Sequence, residues 1–208
     1  VERIKKLRLI PKEKVEDYIG IKFNKTNFLI TIHPETLNTE KSSKHQFINL
    51  FSVLEEIKQT SFIFTKSNSD TGGISLNRSI QNFVNKDKIT RVLHSSLGQK
   101  KYLSLLNNVD AVIGNSSSGL VEAPTLGVAT INIGDRQKGR IRPDSVIDTD
   151  FSAESLRKSF KALNKREFKR NLKSLENPFD GGVTSKKIVK ILETYPLNNL
   201  LKKRFYDN

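Results

Sequence analysis

The sequence predicts a doubly wound α/β fold, a parallel sheet with helices on both faces, and two observations predict it. Short apolar runs alternate with stretches whose apolar residues recur at helical spacing, and four of the runs end in polar loops rich in Gly, Ser, Asn and Asp. A parallel strand buried on both faces reads as a continuous apolar run, and a crossover helix is needed to bring the chain back to the next one.

Taken in order, Phe28-Leu29-Ile30-Thr31-Ile32 lies between Asn27 and His33-Pro34 and reads as a central strand. Phe47, Leu50, Phe51, Leu54 and Ile57 follow at helical spacing, and Ser61-Phe62-Ile63-Phe64-Thr65 resumes the strand pattern. The unit repeats: Ile80, Phe83 and Val84 in a helix, Arg91-Val92-Leu93 as a strand, Tyr102, Leu105 and Leu106 in a helix, Ala111-Val112-Ile113 as a strand. A short helix after Gly119 leads to a fifth strand, Val128-Ala129-Thr130-Ile131-Asn132-Ile133. The last third is helical and basic, with helices over 151–164 and 184–194 separated by the breakers Asn177-Pro178-Phe179-Asp180-Gly181-Gly182, and Thr184 reads as an N-cap. Before the first strand, Val15, Tyr18 and Ile19 form a short helical pattern closing at Gly20. The expected organisation is a lead-in over 1–26 from a preceding domain, one doubly wound domain over 27–195, and a tail over 196–208.

Composition narrows the function. The 208 residues hold 36 Lys and Arg against 22 Asp and Glu, a net charge of +14, which calls for an acidic partner: nucleic acid, anionic lipid or a phosphorylated small molecule. Asn, Lys and Ile are abundant, as in AT-rich genomes, so compositional drift is as good a source for part of that charge as function. No stretch approaches the ~20 apolar residues of a membrane span, so membrane insertion is not expected. With no Cys there is no disulfide framework, thiolate nucleophile or Cys-based metal site, and the three His leave little for metal work. No metal and no cofactor are expected, and a cytoplasmic location fits the missing cysteines. The chain opens Val1-Glu2-Arg3 without Met, so it is expected to be a piece of something longer.

In open α/β sheets ligands bind outside the carboxyl ends of the strands. His33-Pro34-Glu35, Asn68-Ser69-Asp70-Thr71-Gly72-Gly73, Gly114-Asn115-Ser116-Ser117-Ser118-Gly119 and Gly134-Asp135-Arg136-Gln137-Lys138-Gly139-Arg140 all fall there. A strand ending in three serines and entering a helix offers amide hydrogens, a positive dipole end and hydroxyls to a phosphate. N-capping accounts for one serine but hardly for three. Glu122 fits two roles, a carboxylate favoured near a helix N-terminus and a ribose ligand accepting from two hydroxyls. Beside a phosphate cradle the second makes the ligand a nucleotide. Arg136 can reach a phosphate with planar donors. His33 is a packing residue by position alone, but its place first on the ligand rim favours a functional role. Asn68 and Asp70 fit a turn or a ligand contact equally.

Together these four loops, with Glu122-Ala123-Pro124 and Asn132-Ile133, resemble the hydrolysing UDP-N-acetylglucosamine 2-epimerases of sialic-acid biosynthesis. The resemblance runs over about 1–195 and covers the carboxyl-terminal half of that family. It implies one domain of a glycosyltransferase-B-like pair facing a cleft. It further implies that Ser116 and Ser117 hold a diphosphate, Glu122 the ribose, Arg136 a phosphate-side contact and the backbone near Leu97 the uracil. His33 would be catalytic, assisting departure of UDP, with Asn68 and Asp70 lining the sugar side. The implied reaction eliminates UDP and then hydrates the glycal to N-acetylmannosamine. Its acid and base would come from the absent half, so this chain alone is expected to bind UDP weakly and turn nothing over. The expected partners are UDP-N-acetylglucosamine or UDP, the missing amino-terminal domain and a second copy of the chain in a homo-oligomer.

Relatives that epimerise without hydrolysis carry Gly-His-Arg-Arg-Glu after the first strand and Asp-Ser-Gly-Gly at the cradle. Here the places read His33-Pro34-Glu35-Thr36 and Asn115-Ser116-Ser117-Ser118, which favours the hydrolysing branch. A 2,4-diacetamido-trideoxyhexose substrate, a GDP nucleotide and a glycosyltransferase domain are the alternatives. A nucleic-acid binder is not expected: the basic run from Arg157 to Lys173 lacks interleaved aromatics and any recognition motif.

Overall fold

In the computed structural model, residues 1–35, 40–67 and 72–196 are described, 40–45 by backbone alone. In chain order the elements are α1 (Glu2–Lys6), α2 (Lys12–Ile19), β1 (Thr26–Thr31), α3 (Glu40–Glu56), β2 (Thr60–Thr65), α4 (Gly73–Asn85), β3 (Arg91–His94), α5 (Gly98–Leu106), β4 (Ala111–Gly114), α6 (Ser118–Val121), β5 (Ala129–Ile133), β6 (Val146–Thr149), α7 (Ala153–Leu163), α8 (Arg166–Asn171) and α9 (Thr184–Thr194). The strands form one sheet in the order β3-β2-β1-β4-β5-β6, parallel at every pairing. This is the doubly wound α/β, Rossmann-like arrangement that the sequence predicts.

The apolar runs are strands because both faces of the sheet are covered. Successive side chains point to opposite faces, and along β1 Phe28 and Ile30 enter one core while Leu29 enters the other. The first core is filled by α3, α4 and α7 through residues such as Leu50, Leu76, Phe83, Leu156 and Phe160. The second is filled from α1, α2 and α5: Ile4, Val15 and Ile19 pack with Leu29, Ile63, Leu103 and Val112. Residues 1–26 thus contribute side chains to the core of the sheet.

β6 and the start of α9 depart from the sequence reading, and α1 and α8 have no counterpart in it. β6 is an edge strand, half exposed along its length, so Val146-Ile147-Asp148-Thr149 lacks the apolar run that marks a central strand. The cap of α9 also differs. Thr184 is the first helical residue rather than the N-cap, which is Val183 and makes no side-chain cap bond. The capping role passes to Glu2, whose carboxylate accepts from the Ser185 amide at 2.9 Å and the Ser185 hydroxyl at 2.9 Å. None of the α9 residues is buried.

The Lys6 ammonium at 2.5 Å and the two Ser185 donors hold the Glu2 carboxyl down to about 2, against 4.5 ordinarily. The folded value lies below the unfolded one, so the charged link is complete above about 4.5 and is lost as pH falls through about 2. A carbon-13 titration of Glu2 should therefore show a midpoint near 2. A midpoint at the ordinary value would mean that α1 and α9 are not tied this way.

Candidate nucleotide-binding site

The strand order reverses between β1 and β4, and the loops that leave their carboxyl ends there open into a crevice. At this point lies a cleft of about 630 Å³ lined by Thr31, Thr65, residues 95–99, Tyr102, residues 116–118, Val121 and Glu122. Thr31 and Thr65 end neighbouring strands and share a hydrogen bond, Oγ1 to Oγ1 at 2.6 Å, at the floor of the crevice.

The three serines, equal in the sequence, have different tasks. Ser116 Oγ accepts from the Ser118 amide at 3.3 Å, and Ser118 Oγ accepts from the Tyr102 hydroxyl at 2.8 Å. Burial pushes the Tyr102 phenol up to about 12, so it keeps its proton and its donor role at neutral pH. Ser117 is exposed, and its hydroxyl has no partner among the described residues. The amides of Ser116 and Ser117 likewise reach no acceptor among the described residues, whereas those of Gly119, Leu120 and Val121 turn back to the carbonyls of Ser116 and Ser117. Two peptide donors and the Ser117 hydroxyl are therefore available to an anion, together with the hydroxyl hydrogens of Ser116 and Ser118, whose oxygens only accept in these bonds.

The helix after the serines is a correction to the sequence reading. α6 has only four residues, and Glu122 follows its last residue rather than sitting near its start. A single turn sums few peptide dipoles, so any anion is held by individual N–H groups rather than by a long helix's field. Glu122 is half-buried and lines the cleft one turn on from the serines, its amide donating to the Ser118 carbonyl at 2.9 Å.

His33 and Arg136 do not line this cleft; they meet at Asn115, immediately before the serines. The Asn115 carboxamide accepts from the His33 amide at 2.8 Å and donates to the His33 carbonyl at 2.9 Å. The Asn115 carbonyl accepts from Arg136 Nη1 at 3.1 Å and from Gln137 Nε2 at 2.7 Å. The His33 ring lies 3.3 Å from Ser67 Oγ through Nδ1. Ser67 is itself gripped by the Asn77 side chain, which accepts from its amide at 2.9 Å and donates to its carbonyl at 3.3 Å. Glu35 joins the first and fifth loops, accepting on Oε1 from the amides of Asp135 at 2.8 Å and Arg136 at 3.3 Å.

The structure thus gathers Leu97, Ser116, Ser117 and Glu122 around one cleft and brings His33 and Arg136 together beside it. Asn68 and Asp70 lie outside the described residues. Asn115, Glu35 and Gln137 carry roles that sequence reasoning did not give them. A carboxamide gripping a backbone looks, in a sequence, like any polar loop residue. Ser95, Ser96 and Gln99 bear no mark except that they follow a strand. A separate cleft of about 590 Å³, lined by Glu35, Asp135, Arg142, Asp148 and Asp150 among others, opens at the ends of β5 and β6. Among the described residues no group of three His, Asp or Glu could hold a metal ion, and no helix is long and apolar enough to cross a membrane.

Known proteins resemble this chain in sequence and in fold. Residues 3–193 match the family model described as UDP-N-acetylglucosamine 2-epimerase. The chain is 40% identical over 205 residues to the GDP/UDP-N,N'-diacetylbacillosamine 2-epimerase (hydrolyzing) of Campylobacter jejuni, covering 98% of this chain and 53% of that protein. It is 38% identical over 174 residues to the polysialic acid biosynthesis protein P7 of Escherichia coli, covering 83% of this chain and 44% of that protein. The chain therefore spans about half the length of the curated relatives it matches. Among solved structures, the S. aureus MnaA–UDP co-structure superposes with a TM-score of 0.68 at 14% identity, over 95% of this chain and 52% of that one. The UDP-GlcNAc 2-epimerase of Methanocaldococcus jannaschii, in complex with UDP-GlcNAc and UDP, superposes with a TM-score of 0.66 at 18% identity, over 92% and 50%. At these identities the structural likeness is one of fold, and the matches in sequence identify the lineage: the chain belongs to the UDP-N-acetylglucosamine 2-epimerase family.

Proposed function

We propose that this chain is the nucleotide-binding half of a hydrolysing 2-epimerase acting on a UDP-linked 2-acetamido sugar. The observation that carries the reading is the cleft at the strand reversal, lined both by the unpaired donors of Ser116 and Ser117 and by a carboxylate, Glu122. Amides and a hydroxyl suit a diphosphate, and a carboxylate suits vicinal ribose hydroxyls; an anion would be repelled by Glu122 and a ribose gains little from bare amides. The base would lie against the backbone near Leu97.

Departure of UDP breaks the bond between the anomeric carbon and the phosphate oxygen and leaves negative charge on the diphosphate. Preorganised donors aimed at that developing charge lower the barrier, because they need not reorganise during reaction. Ser116, Ser117 and Arg136 supply these donors, and His33 assists the leaving group. Loss of the proton at carbon 2 yields a glycal, and water adds to release the 2-epimeric free sugar and UDP. The groups that move the carbon proton belong to an amino-terminal domain facing the cleft, so this half alone binds UDP and does not turn over. The whole enzyme works as a homo-oligomer in the cytoplasm, a placement supported by the absence of cysteine.

Two sugars fit the reaction. N-acetylmannosamine for sialic-acid-type synthesis is one product. A 2,4-diacetamido-trideoxyhexose is the other, favoured by the Campylobacter jejuni relative at 40% identity. Mass spectrometry of the products of the full-length protein, supplied with either UDP-sugar, tests the reading. Free 2-epimeric sugar plus UDP is the expected result, and the better substrate names the sugar. Transfer of the sugar intact to an acceptor would instead make this a glycosyltransferase domain.

A further inference from the structure

Asn115 is completely buried, yet it bonds both His33 and Arg136, which stand beside the cleft. β1 and β4 stop pairing at Thr31 and Gly114. Beyond that point the backbones no longer bond each other in register, and the Asn115 carboxamide takes over, meeting the His33 amide and carbonyl as another peptide group would. A carboxamide carries a donor and an acceptor on one short planar group at any pH; an ionised carboxylate accepts only, and an aliphatic chain does neither. The residue is fixed in turn, since its own amide donates to the Thr31 carbonyl at 3.2 Å and its carbonyl holds Arg136 and Gln137.

We propose that Asn115 is a positioning residue for the elimination step, setting the backbone of His33 so that its imidazole and the Arg136 guanidinium address the same departing diphosphate. The proposal rests on the epimerase reading above. His33 has no helix or strand of its own to hold it, for β1 ends at Thr31 and Pro34 follows at once. The Asn115 side chain supplies an anchor for the His33 backbone, and Ser67, gripped by Asn77, meets the ring at Nδ1. Among the described residues, the ionisable partners of Asn115 are His33 and Arg136.

The test uses the full-length enzyme and measures kcat and KM for the UDP-sugar in a two-by-two set, with Asn115→Asp and His33→Ala alone and combined. Asn115→Asp preserves shape and the acceptor for the His33 amide. At high pH it turns a second bare oxygen toward the His33 carbonyl. When protonated, the introduced carboxyl again offers one donor and one acceptor. The expected result is a kcat at pH 8 lowered about 10- to 100-fold with KM within about threefold, as for lost transition-state stabilisation. The ratio of variant to wild-type kcat should then rise at least about fivefold between pH 8 and pH 6. In the His33→Ala background that ratio should stay flat, because the anchor then has nothing to position. Asn115→Ala, which adds no charge, should be no slower in the His33→Ala background than His33→Ala alone. Equal losses in both backgrounds would make Asn115 a folding residue and overturn the proposal, as would a kcat for Asn115→Asp within twofold of wild type at pH 8. Should His33→Ala itself leave kcat intact, the role given to His33 fails with the proposal. A wild-type protein that releases no free sugar would fail the epimerase reading itself.

Discussion

Gly114→Ala is expected to destabilise the domain by about 3 kcal/mol or more and to abolish UDP binding. Gly114 has φ +134°, a conformation that side chains rarely adopt, and a Cβ there would lie 1.9 Å from the Thr31 carbonyl oxygen and 2.7 Å from its carbon. Both are backbone atoms of the central strand, so no rotamer change relieves the clash. Either β1 and β4 part at their ends or the peptide flips, and both movements drag Asn115 and the serines away from the rim. Thermal unfolding would read the first effect as a fall of roughly 6–12 °C, for a chain of this size at about 2–4 °C per kcal/mol. Calorimetry with UDP would read the second. A melting point within about 2 °C of wild type would mean that the strand ends are looser than this contact requires. Gly134 offers a control: its added Cβ would meet the flexible end of Glu35, 2.2 Å from Oε1, although its φ of +77° still disfavours alanine. Gly134→Ala should cost less, and should act chiefly through the tie between Glu35 and the amides of Asp135 and Arg136.

Arg136→Ala should weaken UDP binding by about 10- to 150-fold, which corresponds to the loss of one charge-assisted hydrogen bond worth about 1.5–3 kcal/mol. One guanidinium N–H is already spent on the Asn115 carbonyl, which orients the planar fork while its other donors stay available. An oriented donor loses less entropy when the ligand arrives, so the exposed side chain contributes more than a free surface cation does. Ser117→Ala should follow the same direction with a smaller loss, because its two neighbouring amide donors survive the change. Lys165→Ala is the contrast, expected to stay within twofold. Lys165 is exposed at the start of α8 and contacts none of the cleft residues. Isothermal calorimetry on the three variants decides the matter: three equal affinities would remove the phosphate from this rim.

The central architecture was readable because its physical signal is local. Each inner strand is buried on both faces, and Phe28 through Ile30 or Phe62 through Phe64 could hardly be anything else once Pro34 and the polar loops set their limits. β6 was not readable, since a half-exposed edge needs few apolar residues. The cap of α9 was hidden for a different reason: its acceptor, Glu2, lies 183 residues away along the chain. At the site, the residues proposed to meet a ligand were legible through their type and their place in the loop and short helix after a strand, Ser116 and Ser117 as donors and Glu122 as an acceptor. Those that hold other residues were not. Asn115, Asn77 and Glu35 act through pairings between distant loops, and no spacing rule encodes which loop a carboxamide will grip.

The pairing of β1 with β4 joins Phe28 to Ala111, 83 positions apart, while β1 meets β2 after an interval of about 34. A ribosome working at about 5–20 residues per second needs roughly 4–16 s to make the intervening stretch. Through that interval β1, joined first by β2 and later by β3, keeps the edge that β4 will cover bare, the kind of edge that recruits other chains. Newborn copies of this protein should therefore depend on holding chaperones until β4 emerges, and the cleft at the strand reversal, built from both sides of the sheet, comes into being only when that edge is closed.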